Sequence, residues 1–217
     1  EHGSFNIVQS NLIHADVWLA AVKRLLLPKM KLVSTKHGYS DSYQSRHGLD
    51  ASHIGFGPMA ALTRLAATQA DRVVAISNGL ATLFRDGRLI PPRKLTVIRY
   101  GFSFDAVIES CPRTARKGDP QLITVGRLVP VKQHDLMIRA PPELASRFPN
   151  LRLVIIGSGP EEARLKALAQ ELGVGQHIVW TGFVRNVHDH LRDSDVFVFT
   201  SKAEGFGAVA LEAWYNR

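Results

Sequence analysis

Short runs of β-branched and other apolar residues alternate with longer amphipathic stretches along the first half of the chain. The strands predicted from these runs are Asn6–Ser10, Lys31–Lys36, Val73–Ser77 and Leu95–Tyr100. Helices are predicted over Asp16–Leu27 and Asn78–Arg85, where apolar residues recur at helical spacing. Strands that alternate with helices are typical of a parallel sheet covered on both faces.

The same alternation is sharper in the second half. Predicted strands are Leu122–Val125, Leu151–Ile156, Ile178–Trp180 and Val196–Thr200, and predicted helices are Lys132–Phe148, Glu161–Leu172, Val187–Asp193 and Gly207–Trp214. Pro141 and Pro142 are expected to break or kink the first of these helices, because proline lacks an amide donor. Parallel sheets of this kind bind ligands beyond the carboxyl ends of their strands, so the loops there are the places to look for a site.

A polar segment without periodicity, Phe102–Asp119, separates the two halves and is typical of a linker. The chain has 217 residues and is 45% hydrophobic, which is enough for two modest domains with cores of their own. We therefore predict two Rossmann-like domains of the α/β class, over residues 1–115 and 116–217.

The net charge of +8 is concentrated in the first half of the chain. Residues 1–118 contain 16 Lys and Arg against 8 Asp and Glu, whereas residues 119–217 contain 11 of each. This asymmetry favours either an anionic partner, such as a phosphorylated substrate or an acidic membrane, or an ordinary solvated basic face. Nucleic acid is not expected, because the sequence lacks zinc-ligand spacing, an aromatic RNA-binding signature and a dense basic helix.

No apolar run approaches the roughly 20 residues that a membrane-spanning helix needs, and no secretory signal opens the chain. Cys111 is the single cysteine, which excludes an internal disulfide and fits a reducing compartment. We expect a cytoplasmic protein. Peripheral attachment to the inner face of an acidic membrane is an extension that the basic first half suggests.

Gly126 and Arg127 follow a predicted strand directly, and Lys132 comes five residues after the arginine. Glycine lets the backbone approach a ligand, the following helix start supplies amides, and two cations can neutralise a diphosphate. The alternative is a plain strand-to-helix turn whose Arg and Lys face solvent.

A second glycine-rich turn follows the apolar run VFVFT. It begins with Glu204, Gly205, Phe206 and Gly207, and Glu212 lies about two helical turns further on. The amides of such a turn can bind a phosphate, and the carboxylates can accept hydrogen bonds from sugar or ribose hydroxyls.

These motifs belong to a longer pattern of GRLVPVK, LRLVIIGSGPEEARLKALAQELGV, IVWTGFV and SDVFVFTSKAEGFGAVALEAW. The pattern resembles the carboxyl-terminal domain of family 4 retaining glycosyltransferases, which have the GT-B fold. ADRVVAISNGL and TVIRYGFSFD resemble the same proteins' inter-domain region. The resemblance implies two Rossmann-like domains, here both incomplete, because relatives extend beyond either end.

By this resemblance, Arg127 and Lys132 would hold the donor diphosphate. Glu204 and Glu212 would be the two acids of the family's E-x7-E motif, the first near the transferred sugar and the second at the ribose.

Gly182, Phe183 and Val184 fall where relatives contact the nucleotide base. KLVSTKHG resembles a strand that ends in a histidine near the donor sugar, which indicates His37 as a second catalytic candidate. His14 is a further candidate near a strand end.

Three alternatives stay open at the level of sequence. Gly157 and Gly159 with the helix after them invite a dinucleotide-binding interpretation, but Glu162 replaces the third glycine. Asp193 and Asp195 match the D-x-D of metal-dependent transferases, although a helix end and strand start explain them better. The third alternative is a paralogue that binds a nucleotide sugar without transferring it.

The resemblance therefore predicts transfer of a sugar from a nucleoside diphosphate sugar to a hydroxyl acceptor, with retention. We expect neither a metal nor a cofactor besides the donor substrate. The acceptor should approach the basic first domain and be lipid-linked or phosphorylated.

Overall fold

The structure is a computed structural model and describes residues 5–101 and 118–216. It divides into two compact units, the first containing the chain up to Gly101 together with Glu204–Phe206, and the second containing the remainder. The boundary predicted near residue 115, most of the predicted linker and Cys111 lie outside the described residues. The two domain ranges stay a prediction.

The first unit is built on a parallel sheet. Its strands are β1 (Ile7–Ser10), β2 (Lys31–Lys36), β3 (Arg72–Ala75) and β4 (Leu95–Val97), and they lie side by side in the order β1-β2-β3-β4. Ser34 of β2 pairs with Ser10 on one side and with Val73 on the other. The strands predicted in this half are confirmed, with β4 three residues shorter than expected.

Four helices flank this sheet within residues 5–101. They are α1 (Ile13–Leu25), α2 (Asp41–His47), α3 (Pro58–Gln69) and α4 (Asn78–Asp86). The predictions for α1 and α4 hold to within three residues at each end, and Ser77 caps α4 by accepting a hydrogen bond from the Leu80 amide at 3.3 Å. The sequence analysis had no element for α2 or α3.

The second unit contains the other parallel sheet. Its strands are β5 (Gln121–Val125), β6 (Arg152–Ile156), β7 (Ile178–Gly182) and β8 (Val196–Phe197), and their order is β7-β6-β5-β8. Leu122 of β5 pairs with Val196 of β8. The strand predicted over Val196–Thr200 is therefore present but shorter.

The helices of the second unit are α5 (His134–Ile138), α6 (Pro141–Ala145), α7 (Glu162–Glu171), α8 (His188–Arg192) and α9 (Ala208–Tyr215). The stretch Lys132–Phe148, predicted as a helix with a break or kink at the prolines, contains two separate helices, α5 and α6. Gln133 adopts a left-handed conformation with φ +50° before α5, and Pro141 and Pro142 begin α6, so the expected break at the prolines is confirmed.

Two parallel four-stranded sheets with flanking helices confirm the predicted α/β class. Apolar residues that are almost fully buried form the two cores, including Phe84 and Leu80 in the first unit and Leu153 and Ile155 in the second. Among the described residues, no helix is both long and apolar enough to cross a membrane.

Candidate donor site

The strand order of the second sheet locates a candidate site. The chain moves from β5 through β6 to β7 on one side, and then returns to place β8 on the other side of β5. Parallel α/β sheets bind their ligands at such a reversal, outside the carboxyl ends of the two strands that flank it. The loops that leave β5 and β8 are the two that contain the candidate motifs.

Contacts between these two loops are direct. The Thr200 hydroxyl donates to the Lys132 carbonyl oxygen at 2.8 Å, and the Lys202 amide donates to the Val131 carbonyl oxygen at 2.9 Å. The ammonium of Lys132 lies 5.9 Å from the centre of the Phe199 ring, within the range of a cation–π interaction. Residues about 70 positions apart in the sequence therefore form one edge of the unit.

Two of the predicted glycines lie beside this cation. A Cβ placed on Gly126 would lie 3.7 Å from Cε of Lys132, so the lysine side chain passes over the glycine. Gly207 has φ +77° immediately before α9, and a Cβ there would lie 3.8 Å from Cε1 of Phe199. The structure thus brings Gly126, Lys132 and Gly207 to one place, with Arg127 exposed next to Gly126.

Gly157 and Gly159 have a structural reason to be glycine. A Cβ on Gly157, whose φ is +137°, would lie 1.9 Å from the Gly126 carbonyl oxygen, and one on Gly159 would lie 2.4 Å from the Leu128 carbonyl oxygen. The backbone that these glycines approach is that of the Gly126–Leu128 loop. Their spacing therefore needs no bound dinucleotide to explain it.

His134 is a residue that the sequence analysis missed. Its Nε2 donates to the Arg127 carbonyl oxygen at 3.3 Å, the ring is only 4% exposed, and Nδ1 has no hydrogen-bond partner among the described residues. Burial lowers the pKa of the imidazole, with the Lys132 charge acting in the same direction, and the hydrogen bond to Arg127 opposes both only in part. A neutral histidine thus anchors the backbone of the arginine loop. Nothing in its spacing distinguished it.

The predicted base-contact residues follow β7 at the same edge of the sheet. Gly182 has φ +67° and its carbonyl oxygen accepts from the Gly157 amide at 2.8 Å. Phe183 is 79% exposed, so its ring is accessible, whereas Val184 packs against the core around Ile123. Glu212 is the fifth residue of α9 and its side chain is half-buried.

The remaining candidates, Glu204 and His37, belong to the first unit. Gly205 approaches the backbone of His37 so closely that a Cβ on it would lie 2.0 Å from the His37 carbonyl oxygen. The Phe206 ring packs edge to face on Tyr100, with centroids 5.3 Å apart. Gly205 of the glycine-rich turn is therefore adjacent to the predicted histidine.

The His37 ring is held from both nitrogens. Nε2 lies 3.2 Å from the Asn11 side-chain oxygen, and the Tyr100 hydroxyl contacts Nδ1 and donates to it when Nε2 bears the proton. The Tyr100 ring also stacks on the imidazole with centroids 5.6 Å apart. His14, the other histidine considered, is exposed at the second position of α1.

The D-x-D match has a structural explanation. Asp193 ends α8, and the Asp195 carboxylate accepts from the Gln121 amide at 2.9 Å. This contact joins the amino ends of β5 and β8, the edge opposite the candidate donor site. The described residues contain no group of three or more His, Cys, Asp or Glu that could hold a metal ion.

Comparison with known proteins places the chain in a family. The family model described as "Glycosyl transferases group 1" matches residues 110–217, and the one described as "Glycosyltransferase Family 4" matches residues 1–105. This chain belongs to glycosyltransferase family 4. The predicted resemblance is confirmed.

Two curated relatives of this family 4 chain have names that include a lipid-linked or phosphorylated acceptor. The GDP-mannose-dependent alpha-(1-6)-phosphatidylinositol monomannoside mannosyltransferase of Mycolicibacterium smegmatis is 38% identical over 43% of this chain and 27% of that protein. The D-inositol 3-phosphate glycosyltransferase of Acidothermus cellulolyticus is 31% identical over 70% of this chain and 33% of that protein. The chain therefore spans only about a third of the curated relatives that it matches.

Solved structures agree on the fold. The structure of Anabaena HepE in complex with UDP and glucose matches with a TM-score of 0.76 at 19% identity. The match covers 97% of this chain and 57% of the HepE chain. WaaG, a glycosyltransferase involved in lipopolysaccharide biosynthesis, has a TM-score of 0.70 at 17% identity, covering 92% and 60%. The domains of this family 4 chain are of the GT-B type.

Proposed function

We propose that the chain is part of an enzyme that transfers a glycosyl group from a nucleoside diphosphate sugar to a hydroxyl acceptor. The observation that supports this most is the meeting of the β5 and β8 loops at the strand-order reversal, where Lys132 passes over Gly126 beside Phe199. The name of one relative, which includes GDP-mannose, and the HepE structure in complex with UDP and glucose agree with such a donor.

The chemical demand of this reaction is electrostatic. As the glycosidic bond to the donor breaks, negative charge develops on the leaving diphosphate and positive charge on an oxocarbenium-like sugar. Arg127 and Lys132, with amides of the glycine-rich turn, would stabilise the diphosphate without a metal ion. Glu204 would orient the sugar and stabilise its positive charge, and His37 would contact the sugar from a ring that Asn11 and Tyr100 hold in place.

The nucleoside would be bound at the same edge. Glu212 would accept hydrogen bonds from the ribose hydroxyls, and the exposed ring of Phe183 would contact the base, with Gly182 and Val184 shaping that loop. We propose retention of the anomeric configuration, cytoplasmic location and peripheral attachment to an acidic membrane as further parts of this function. The acceptor would be a lipid-linked or phosphorylated alcohol.

The first experiment is a thermal-shift screen of the full-length protein against UDP, GDP and ADP sugars. A ligand that binds only the folded state raises the melting temperature by an amount that grows with the ratio of its concentration to its Kd. Arg127→Ala should abolish most of the shift and lower the transfer rate by roughly a hundredfold, the usual effect of removing one group that stabilises developing charge.

Arg152→Ala is the matched control. It removes an exposed arginine from the first position of β6, at the opposite edge of the same sheet. Equal donor affinity in both variants would exclude Arg127 from the site. The transfer rate should be unchanged by a metal chelator, which tests metal independence. The anomeric configuration of the product, determined by NMR, tests retention.

A non-catalytic paralogue is the second candidate. It would show the thermal shift and its dependence on Arg127 but no transfer with any donor and acceptor pair. Titration with NAD(P) tests the remaining oxidoreductase alternative, which the tight backbone packing at Gly157 and Gly159 does not favour.

A further inference from the structure

A cavity in the first unit is separate from the elements considered so far. It has a volume of about 410 Å³ and lies among α2, the turn at residues 51–55 and the start of α3. Tyr39, only two residues after His37, contributes to its wall, so the cavity begins close to the predicted catalytic histidine. The sequence analysis assigned no function to any of these elements.

The side chains that line this cavity are basic and aromatic. Arg46 and His47 come from the end of α2, and His53 comes from the following turn. The two imidazoles are stacked with centroids 4.2 Å apart at 28°, and the Tyr43 ring lies 5.0 Å from His47. An anion placed here would meet one permanent cation and two histidines that can donate hydrogen bonds.

Among the described residues, the Asp50 carboxylate lies near these groups. Asp50 Oδ2 is 3.7 Å from Nε2 of His53, but Asp50 is not part of the cavity wall. Its oxygens accept hydrogen bonds from the amide and the hydroxyl of Ser52, at 2.9 and 2.8 Å. Asp50 is thus fixed beside the turn, close to His53.

The start of α3 supplies a second kind of anion recognition. This helix has 12 residues, begins at Pro58 and is preceded by Gly57, which has no side chain with which to cap it. The amides of Met59 and Ala60 therefore stay at the helix start without an intrahelical acceptor, at the positive end of the helix dipole. Gly57, Pro58, Met59 and Ala60 all line the cavity.

We propose that this cavity binds the phosphoryl group of the acceptor. A helix start, an arginine and a histidine pair that line one open cavity suit a single phosphate better than the extended backbone of a polymer. The volume exceeds that of a phosphate, which leaves space beside Tyr39 and Tyr43 for a polyol. That the phosphoryl group belongs to the acceptor rests on the proposed function, but the binding of phosphate in the cavity does not.

The test uses inorganic phosphate and glycerol 3-phosphate as soluble probes and phosphatidylglycerol vesicles as the lipid form, with phosphatidylcholine vesicles as a blank. All measurements are made in an Arg127→Ala background, which removes binding to the donor site. Both soluble probes should shift the imidazole NMR signals of His47 and His53. Binding to phosphatidylglycerol that depends on Arg46 would identify a lipid headgroup as the source, and binding of the soluble probes alone would identify a free phosphate ester.

Arg46→Gln and His53→Asn should each weaken phosphate binding by about tenfold, as expected for one hydrogen bond between charged partners. Both residues are exposed, so folding should be unaffected, which circular dichroism checks. Arg93→Gln is the matched control, because Arg93 is an exposed arginine of the same unit outside the cavity.

The proposal is overturned if phosphate leaves the two histidine signals unchanged, or if Arg46→Gln binds as well as Arg93→Gln. UDP binding in the protein with intact Arg127 is measured separately and should not change in Arg46→Gln. If the protein with intact Arg127 and Arg46 binds phosphate but not UDP, the donor assignment is contradicted and the phosphate cavity is not.

Discussion

Gly157 is the residue whose packing in the second unit bears most directly on the candidate donor site. Its φ of +137° is one that other residues adopt only with strain, which costs about 1–3 kcal/mol. A Cβ there would lie 1.9 Å from the Gly126 carbonyl oxygen, whereas real Cβ contacts are not shorter than 3.0 Å, so one backbone must move by at least 1.1 Å. Overpacking of this kind costs a further 1–3 kcal/mol or so.

Gly157→Ala should therefore lower the free energy of unfolding by on the order of 3 kcal/mol, since the strain and overpacking terms are of similar size. Because the part that moves is the Gly126–Arg127 backbone, transfer should also fall by about a hundredfold, the effect expected of a 1 Å displacement of a positioning group. Urea unfolding followed by circular dichroism measures the first effect, and titration with UDP together with the transfer rate measures the second.

Gly175→Ala is the control for this substitution. Gly175 lies in the same unit and a Cβ on it would meet nothing within 4 Å, so its unfolding free energy should change by no more than about 0.5 kcal/mol. If the two alanine variants had equal urea midpoints and equal UDP affinities, the close approach of Gly157 to Gly126 would not control the site.

Two further predictions concern the stability of the first unit. Asp16 is 2% exposed and forms an ion pair with Lys36 at the end of β2. Asp16→Asn should lower the free energy of unfolding in urea by about 3–5 kcal/mol, because it leaves a buried ammonium unpaired. Adding Lys36→Met should restore most of this loss, and a double variant as unstable as Asp16→Asn alone would contradict an energetic role for the pair. For Asp71, burial opposes ionisation, but hydrogen bonds from Lys23 and the Leu32 amide outweigh it and lower the pKa from 3.8 to about 2. Since the folded state holds this proton less tightly, the stabilisation is complete above pH 4 or so and is lost as the pH falls towards about 2. Asp71→Asn should make the urea midpoint depend less on pH over that range. An unchanged pH dependence in the variant would contradict the assignment.

Helices were predictable where the local signal was strong. Apolar residues at helical spacing gave α4 almost to the residue, whereas Ser77, which caps α4 in the structure, was assigned to the preceding strand. The sequence of α3 also contains a usable signal, Pro58 followed by an alanine-rich run, which the sequence analysis did not use. In contrast, α2 has the sequence DSYQSRH, with no apolar periodicity to detect. Tyr43 of α2 packs edge to face on Tyr39, and Tyr39 on Phe84, so tertiary contacts support this helix.

The candidate site residues themselves were found by resemblance and by their positions after strands. Arg127, Lys132 and Gly207 were named from the sequence, and the structure brings their two loops into contact. His134 was not found, because a histidine near a helix start looks the same whether it faces solvent or donates to a buried carbonyl. The roles of Gly157 and Gly159 were also hidden, since glycine spacing does not reveal which backbone the glycines approach.

The sequence by itself determined the alternation of strands and helices, and with it the parallel sheets and the loops in which ligands bind, because these follow from side-chain periodicity over a few residues. Only the tertiary structure decided that β8 lies beside β5, pairing Val196 with Leu122, and that the Lys132 and Phe199 loops therefore meet. Strand order depends on hydrogen bonds and packing between residues more than 70 positions apart. No local pattern specifies those contacts, and so no local pattern could show that the two loops with the candidate donor residues would meet.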